Sequence, residues 1–287
     1  MAFVTTQTIN RYYDCYRDTE IVFSKEIIHT LKMDPRQIYI KSGGLQWPCI
    51  VNSSSFNQAK IILGTNGGAY ATLSKKDPDP VSLKFSFYNP DGQLMSFFVN
   101  AKVDIIQPYM NSTDLSLITI QYTQRPPDDL IVMLGSLVEA NMNAIRRKED
   151  RIHITQNSMR KLGLQRKELT VSIQNIQRNC ILQDLSFGGA KIVLLGLSKF
   201  LLQKEAFLQL EFDDPHEMMI IKGIIVSTTP VEGRSDLIGA SIQFQEDSIS
   251  LAYKIRINNY ISTMRKDELN ANKDEQQGEV QKVSEAK

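Results

Sequence analysis

The chain has 287 residues, of which 42% are hydrophobic and 23% charged, and its formal net charge is +1. That balance belongs to a soluble globular protein long enough for two domains. It excludes a global charge that would advertise nucleic acid or a membrane surface, so any anion site must come from a local cluster.

The N-terminus, "MAFVTTQTINRYYDCYRD", lacks the basic start and apolar core of a signal peptide. From Thr19 to about Gln124 the chain alternates short runs of β-formers with turn residues. "QIYIKSG", "LQWPCIV", "AKIILG", "AYATLS", "VSLKFSFY", "LMSFFVNAKV" and "LSLITIQYTQ" read as strands, and "SGG", "GTNGG" and "NPDG" as the turns between several of them. "GTNGGAY" lacks the lysine of a phosphate-binding P-loop and reads as a hairpin turn. Many short strands at this spacing predict a barrel or sandwich.

"RPPDD" breaks the pattern, because prolines cannot continue a central strand and Asp128 and Asp129 suit a helix start. Leu130, Leu134, Leu137, Val138, Met142 and Ile145 follow at helical spacing and predict an amphipathic helix between two domains. Strands resume with "RIHIT", "ELTVSIQ", "NCILQD", "AKIVLL", "AFLQLEF", "MMIIKGIIVSTT" and "IGASIQF". The most apolar run, "EMMIIKGIIVS", is broken by Lys222 and too short to span a bilayer. A second helix is expected from near Asp247, with Ile249, Tyr253, Ile257, Tyr260 and Ile261 on one face, and a disordered tail from Asp267. The expected organisation is a β-barrel domain over 1–125, a helical linker over 126–150, a second β-barrel domain over 151–266 and a tail over 267–287. The halves share a β pattern but no strong sequence repeat. Cys15, Cys49 and Cys180 are widely spaced, with no CxxC pair, which argues against a disulfide framework or zinc knuckle and predicts a reducing, cytoplasmic location.

At the junction stands "RRKEDRIHI", with Arg147 and Arg151 four apart and Arg146 beside them. Alone, such a spacing often marks a solvated helix face. Further on, "DLSFGG" places Asp184, Ser186 and Gly189 as DxSxxG, a composition that also suits a self-hydrogen-bonded turn. In this order, and among strands, the two form a candidate site. Arginine offers a planar donor fork for a base edge or for phosphate oxygens. Asp184 can accept from base N–H groups or fix an arginine. Ser186 can hydrogen-bond a base or phosphate, and Gly188 and Gly189 let backbone amides approach closely. A positive φ at Gly189 would make that position intolerant of side chains.

"RKEDR" followed after a few tens of residues by "DLSFGG" resembles the motif of the PilZ domain, RxxxR then [DN]xSxxG. "IGASIQF" and the helix after it also resemble the end of a PilZ barrel. "LQWPCIV", "QRPPDDL" and "NMNA" extend the likeness to two-domain spirochaete PilZ proteins of the PlzA type, whose N-terminal domain is PilZ-like but lacks the ligand motif. The resemblance implies a mainly β fold of two PilZ-like β-barrels joined by an interdomain helix, with a C-terminal helix. It implies a cytoplasmic, non-enzymatic receptor for cyclic di-GMP, with Arg146, Arg147, Arg151, Asp184, Ser186, Gly188 and Gly189 as ligand residues. Interdomain rearrangement, signalling to a downstream protein partner and motility-type outputs are further implications.

Other clusters carry less. Asp213, Asp214, His216 and Glu217 surround Pro215 and read as a solvated loop rather than a metal site. His29 and His153 have no partners at ligand spacing and read as structural. No GxSxG, HExxH or kinase set is present, so neither catalysis nor a metal or other cofactor is expected. Arg146, Arg147, Lys148, Arg151, Arg160, Lys161, Arg166 and Lys167 make a basic stretch, diluted by Glu149, Asp150 and Glu168. It supports a second reading, direct nucleic-acid binding by a β-barrel, which ranks lower for want of interleaved aromatics. A PilZ-like interaction protein without ligand is the remaining alternative.

Overall fold

The computed structural model describes residues 5–265 apart from 90, 149, 214 and 215. The tail expected over 267–287 and part of the acidic cluster, Asp214 with Pro215, therefore lie outside the described residues. The chain divides into two compact units, Met1–Glu139 and Ala140–Lys287.

The first unit holds α1 (Thr6–Tyr16), β1 (Ile21–Val22), α2 (Lys25–Thr30), β2 (Tyr39–Ser42), β3 (Leu45–Pro48), β4 (Ile50–Ser54), β5 (Gln58–Gly64), α3 (Gly68–Leu73), β6 (Val81–Tyr88), β7 (Leu94–Pro108), β8 (Leu115–Tyr122) and the first part of α4 (Asp128–Arg146). Its sheet runs β1-β4-β5-β8-β7-β6-β2-β3. Only Cys49 separates β3 from β4, and its N–H donates to the carbonyl of Ile38 at 3.3 Å. The two strands are thus halves of one bent strand, and through them the ladder returns to its start.

Alternation puts Ile40, Ile61, Leu83, Phe85, Val99, Ile118 and Ile120 into a dry interior. Helix α1 packs on α4 where Gly135 makes room: a Cβ there would stand 2.6 Å from the Tyr12 ring. The buried Glu139 carboxylate accepts from Arg11 (2.6 Å) and from the Tyr12 hydroxyl (2.9 Å), which supplies partners it needs away from water.

"GTNGGAY" is not a hairpin turn. Gly67 is the N-cap of α3, β5 pairs with β4 and β8, and the segment read as the strand "AYATLS" is mostly this helix. Alanine and leucine favour helix, and Ala69 and Leu73 give that short helix its buried side. On α4, Leu130, Leu134, Leu137 and Val138 are buried as the spacing predicts, whereas Ile145, expected on the same stripe, is 82% exposed.

The second unit holds β9 (Ile152–His153), α5 (Gln156–Leu162), β10 (Glu168–Ile173), β11 (Ile176–Leu185), β12 (Gly189–Leu195), α6 (Ser198–Leu201), β13 (Glu205–Phe212), β14 (Glu217–Val231), β15 (Arg234–Phe244) and a helix over 251–265, here α7. Its ladder runs β10-β13-β14-β15-β12-β11-β9, and β10 also pairs with β11. The strands from β10 to β11 therefore close into a barrel. The β10–β11 turn sets Gln174 and Asn175 at φ of 51° and 64°, the left-handed pair that a two-residue hairpin of matching twist requires. Tyr253, Ile257 and Ile261 of α7 join the barrel core, on the face that the sequence predicts.

Both rings follow one plan. β2, β6, β7, β8, β5 and the bent β3–β4 correspond in order to β10, β13, β14, β15, β12 and β11, while β1 and β9 are matching short strands. No strong sequence repeat marks this correspondence.

Candidate functional site

Helix α4 ends at Arg146 and the chain then turns. The N–H of Arg147 donates to Asn143 (2.8 Å) and that of Asp150 to Arg147 (3.1 Å). Arg151 immediately precedes β9, which pairs with β11 through His153↔Asp184 and Ile152↔Leu185. This register delivers the Arg151 guanidinium to Asp184. Nη1 donates to Oδ1 at 2.9 Å, with the arginine side chain 42% exposed and the carboxylate 8%. A register shift between Leu182 and Asp184 re-aims the strand and sets Asp184 opposite Lys191.

The turn after β11 is tightly specified. The N–H of Ser186 donates to the Gly189 carbonyl (2.8 Å), as does its hydroxyl (3.3 Å). The Gly188 carbonyl accepts from the Phe244 N–H (2.8 Å), and the Gly188 N–H donates to the Lys148 carbonyl (3.3 Å), which ties the junction to the turn. Neither glycine has the positive φ that the sequence allowed for Gly189. Their requirement is space. A Cβ on Gly189 would stand 2.4 Å from the Ile242 carbonyl oxygen, and one on Gly188 would stand 2.6 Å from Cγ of Lys148.

Above the turn lies a hollow of about 230 Å³, lined by Arg151, Ser186, Gly188 and Gly189 together with Lys148, Val226, Ser241, Ile242 and Gln243. A neighbouring hollow of about 410 Å³ is lined by Asp184, Lys191, His153 and Lys167, among others. Arg146 and Arg147 line neither hollow. Arg146 is exposed at the end of α4 and Arg147 is half-buried.

Motif reading missed Lys148, Lys191 and Gln243. Lys148 occupies a free position of RxxxR, while Gln243 arrives only through the Gly189↔Gln243 register. The Lys148 ammonium bonds Glu246 at 2.7 Å, and this hydrogen bond holds the Glu246 carboxyl below its ordinary value. Among the described residues, no group of three or more His, Cys, Asp or Glu stands close enough to hold a metal ion, and no helix is long and apolar enough to cross a membrane.

Residues 7–141 match the PilZN3 domain and residues 145–262 the PilZ domain. Over 268 residues the chain is 45% identical to a Treponema denticola protein named "Cyclic di-GMP binding protein", a match covering 93% of this chain and 85% of that one. The chain belongs to the PilZ family. Among solved structures it is similar to Borreliella burgdorferi PlzA in complex with c-di-GMP, at 23% identity, 89% and 98% coverage and a TM-score of 0.39. It is also similar to Escherichia coli YcgR in complex with c-di-GMP, at 14% identity, 86% and 90% coverage and a TM-score of 0.28.

The PilZN3 domain carries a counterpart of the PilZ turn. The Ser55 N–H donates to the Gln58 carbonyl (2.9 Å), and the Tyr122 N–H to that of Asn57 (2.7 Å). These bonds repeat Ser186 to Gly189 and Phe244 to Gly188 one for one. β1 pairs with β4 as β9 does with β11, so Ser53 matches Asp184 and Glu20 matches Arg151. Lys60, opposite Ser53, matches Lys191. In this domain the Ser53 hydroxyl donates to the Glu20 carboxylate, which also pairs with Lys60 at 2.8 Å. Where the PilZ domain has Gly188, Asn57 fills the space, held by Arg17 Nε (2.8 Å) and by Asp18.

Proposed function

We propose that this chain is a receptor for cyclic di-GMP that binds at the PilZ-domain turn and performs no catalysis on the ligand. The observation that carries the reading is Arg151, held by Asp184, at the rim of a hollow floored by a glycine turn. A guanidinium tied to one carboxylate oxygen keeps further N–H donors for guanine O6 and N7 or for phosphate. The name of the Treponema relative supports the same ligand.

In this reading Arg151 binds a guanine edge, Asp184 fixes the arginine, and Ser186 with the amides of Gly188 and Gly189 holds the opposite side. Ligand pockets commonly enclose roughly 300–1,000 Å³, so a hollow of about 230 Å³ accommodates part of a dinucleotide and leaves the rest to be covered. Arg146 and Arg147, at the end of the 126–150 linker, supply that cover. Ligand binding then restricts the junction, rearranges the domains and passes the signal to a downstream partner.

Nucleic acid is the weaker reading because the basic stretch has no interleaved aromatics and two of its cations are already paired, Arg166 with Glu211 and Lys148 with Glu246. Calorimetric titration tests the proposal and gives the stoichiometry. Cyclic di-GMP should bind, and cyclic di-AMP, which presents an amine in place of O6, should bind far more weakly, since a bidentate base contact is worth about 1–3 kcal/mol. Equal affinity for the two dinucleotides, or none for either, overturns it. Hydrogen exchange across Asn141 to Ile154 that is unchanged at saturation overturns the junction step alone.

A further inference from the structure

The candidate site is built from two pieces of chain far apart in sequence, the junction at 147–151 and the turn at 184–189. A third element touches both. At one end of α7, Tyr253 is wholly buried and its hydroxyl donates to the Ser186 carbonyl at 2.7 Å. Its ring stands edge-on to Phe244, the residue whose N–H holds the Gly188 carbonyl. One turn further on, Asn258 is 2% exposed, and its Oδ1 accepts from Asn143 Nδ2 at 2.6 Å. Asn143 lies one helical turn before Arg147 and accepts the Arg147 N–H. Lys254 bonds Asn141 at 3.3 Å, and Arg265 stands 4.0 Å from Asp150.

The PilZN3 domain isolates what is particular here. Its matching carbonyl, that of Ser55, is satisfied locally by the Ser54 hydroxyl at 2.9 Å. At the position of Ser54 the PilZ domain has Leu185, fully buried in the barrel core, which has no donor to offer. The carbonyl of the ligand turn must therefore be capped from elsewhere, and α7 caps it.

We infer that α7 is a strut that holds the two halves of the ligand site in register, with Tyr253 and Asn258 as positioning residues that need not touch the ligand. The inference rests on cyclic di-GMP binding at this site. A site held in place before the ligand arrives spares binding the cost of ordering it. Loosening either contact of α7 should lower affinity while leaving every motif residue intact.

The test is calorimetric titration with cyclic di-GMP at 25 °C of the full chain, Tyr253→Phe, Asn258→Leu and the double variant, with thermal melts of each without ligand. Tyr253→Phe keeps the ring and removes one O–H. Each single change should weaken binding about five- to tenfold, the size of one lost hydrogen bond. Hydrogen exchange at 147–154 and 184–189 should rise in the ligand-free variants. Because both changes loosen the same strut, the double variant should lose less than the product of the two single losses.

Variants that melt lower yet bind as tightly as the unsubstituted chain overturn the strut while leaving the receptor intact. An unsubstituted chain that does not bind overturns the receptor reading, and the strut with it. If Tyr253→Phe lowers the melting point too far for titration at 25 °C, titration at 10 °C of Asn258→Leu, whose partner Asn143 lies outside the barrel core, decides by the same criterion.

Discussion

The two domains carry the same turn on the same ring of strands, and they differ in what stands at a handful of positions. In the PilZ domain the rim pair is Arg151 with Asp184, and the turn is floored by Gly188 and Gly189. In the PilZN3 domain the rim is Glu20 with Ser53 and Lys60, and Asn57 fills the place of Gly188. The backbone hydrogen bonds of the turn survive this exchange almost unchanged. The fold therefore provides the same turn in both places, and in the reading proposed above side-chain charge and volume decide whether that cup is open to an anion or closed by the protein itself.

Substitutions that move one domain toward the other should break this comparison if it is wrong. The largest expected effect is from Arg151→Ala, alone or with Arg147→Ala. It removes the fork and leaves the Asp184 carboxylate, 8% exposed, without its cation. Affinity should fall about a hundredfold or more, measured by titration, whereas Glu20→Ala should leave it within about twofold. Full affinity in the double arginine variant would remove the site from this place.

Next comes Gly188→Asn, which copies the closed cup into the open one. The added side chain must displace the stem of Lys148, whose Cγ would stand 2.6 Å from the new Cβ. Because that neighbour is a flexible side chain, the fold should survive, while affinity drops about tenfold or more. Asn57→Gly in the other domain should create no binding, since Glu20 remains at the rim.

Much of the fold is legible in the sequence because alternating β-branched and aromatic residues mark strands whatever their partners. "VSLKFSFY" turns Val81, Leu83, Phe85 and Phe87 inward and "AFLQLEF" turns Ala206, Leu208, Leu210 and Phe212 inward, as the period of two requires, whereas Phe207 falls on the other face. Helices of six or seven residues, such as α2 and α5, escape because so few residues do not express a helical period, although Ser24 and the Thr155–Ser158 capping box mark their starts. Helix α1 escapes for another reason. Its one buried residue is Tyr12, anchored by a polar network around Glu139 rather than by an apolar stripe.

At the site, the motif names Arg151, Asp184, Ser186 and the glycines, and the structure gathers them around the turn. It cannot name Gln243 or Lys191, which come to the rim only through strand register. Nor does it reveal that "SSSFNQ" is the counterpart of "DLSFGG". The two share a Ser-Phe step, but the charge-bearing and glycine positions that make the motif recognisable have been replaced.

Gly189→Ala sharpens the comparison through stability. A Cβ placed 2.4 Å from the Ile242 carbonyl oxygen meets backbone, which cannot swing aside as Lys148 can. β12 and β15 must part locally, at a cost of about 1–3 kcal/mol, and the melting point should drop by roughly 2–12 °C. The matching Gln58→Ala removes side chain rather than adding it and should stay within about 0.5 kcal/mol. Ser186→Ala is milder for binding than Arg151→Ala or Gly188→Asn. The Ser186 N–H bond to Gly189 remains and only the 3.3 Å hydroxyl bond is lost, so binding should weaken about two- to fivefold.

The smallest effect is in the pH dependence of the closed cup. Hydrogen bonds from Lys60 and Ser53 hold the Glu20 carboxyl below its ordinary value near 4.5. A carboxylate whose folded-state pKa is depressed stabilises the fold above its unfolded value, and that contribution is lost as pH falls through the folded value. The Glu20 side chain is 38% exposed, so water and salt screen the pair and the contribution should be only a few tenths of a kcal/mol. Glu20→Gln keeps the shape and removes the titration. Wild type should therefore melt slightly above Glu20→Gln at neutral pH, and the gap should close below the ordinary carboxylate range. Arginine stays charged throughout this range, so Arg151 at the matching rim position cannot be the source of such a step. Melting curves of the two proteins that stay parallel from neutral to acid pH would show that Glu20 is a spectator and that volume alone, through Asn57, closes the cup.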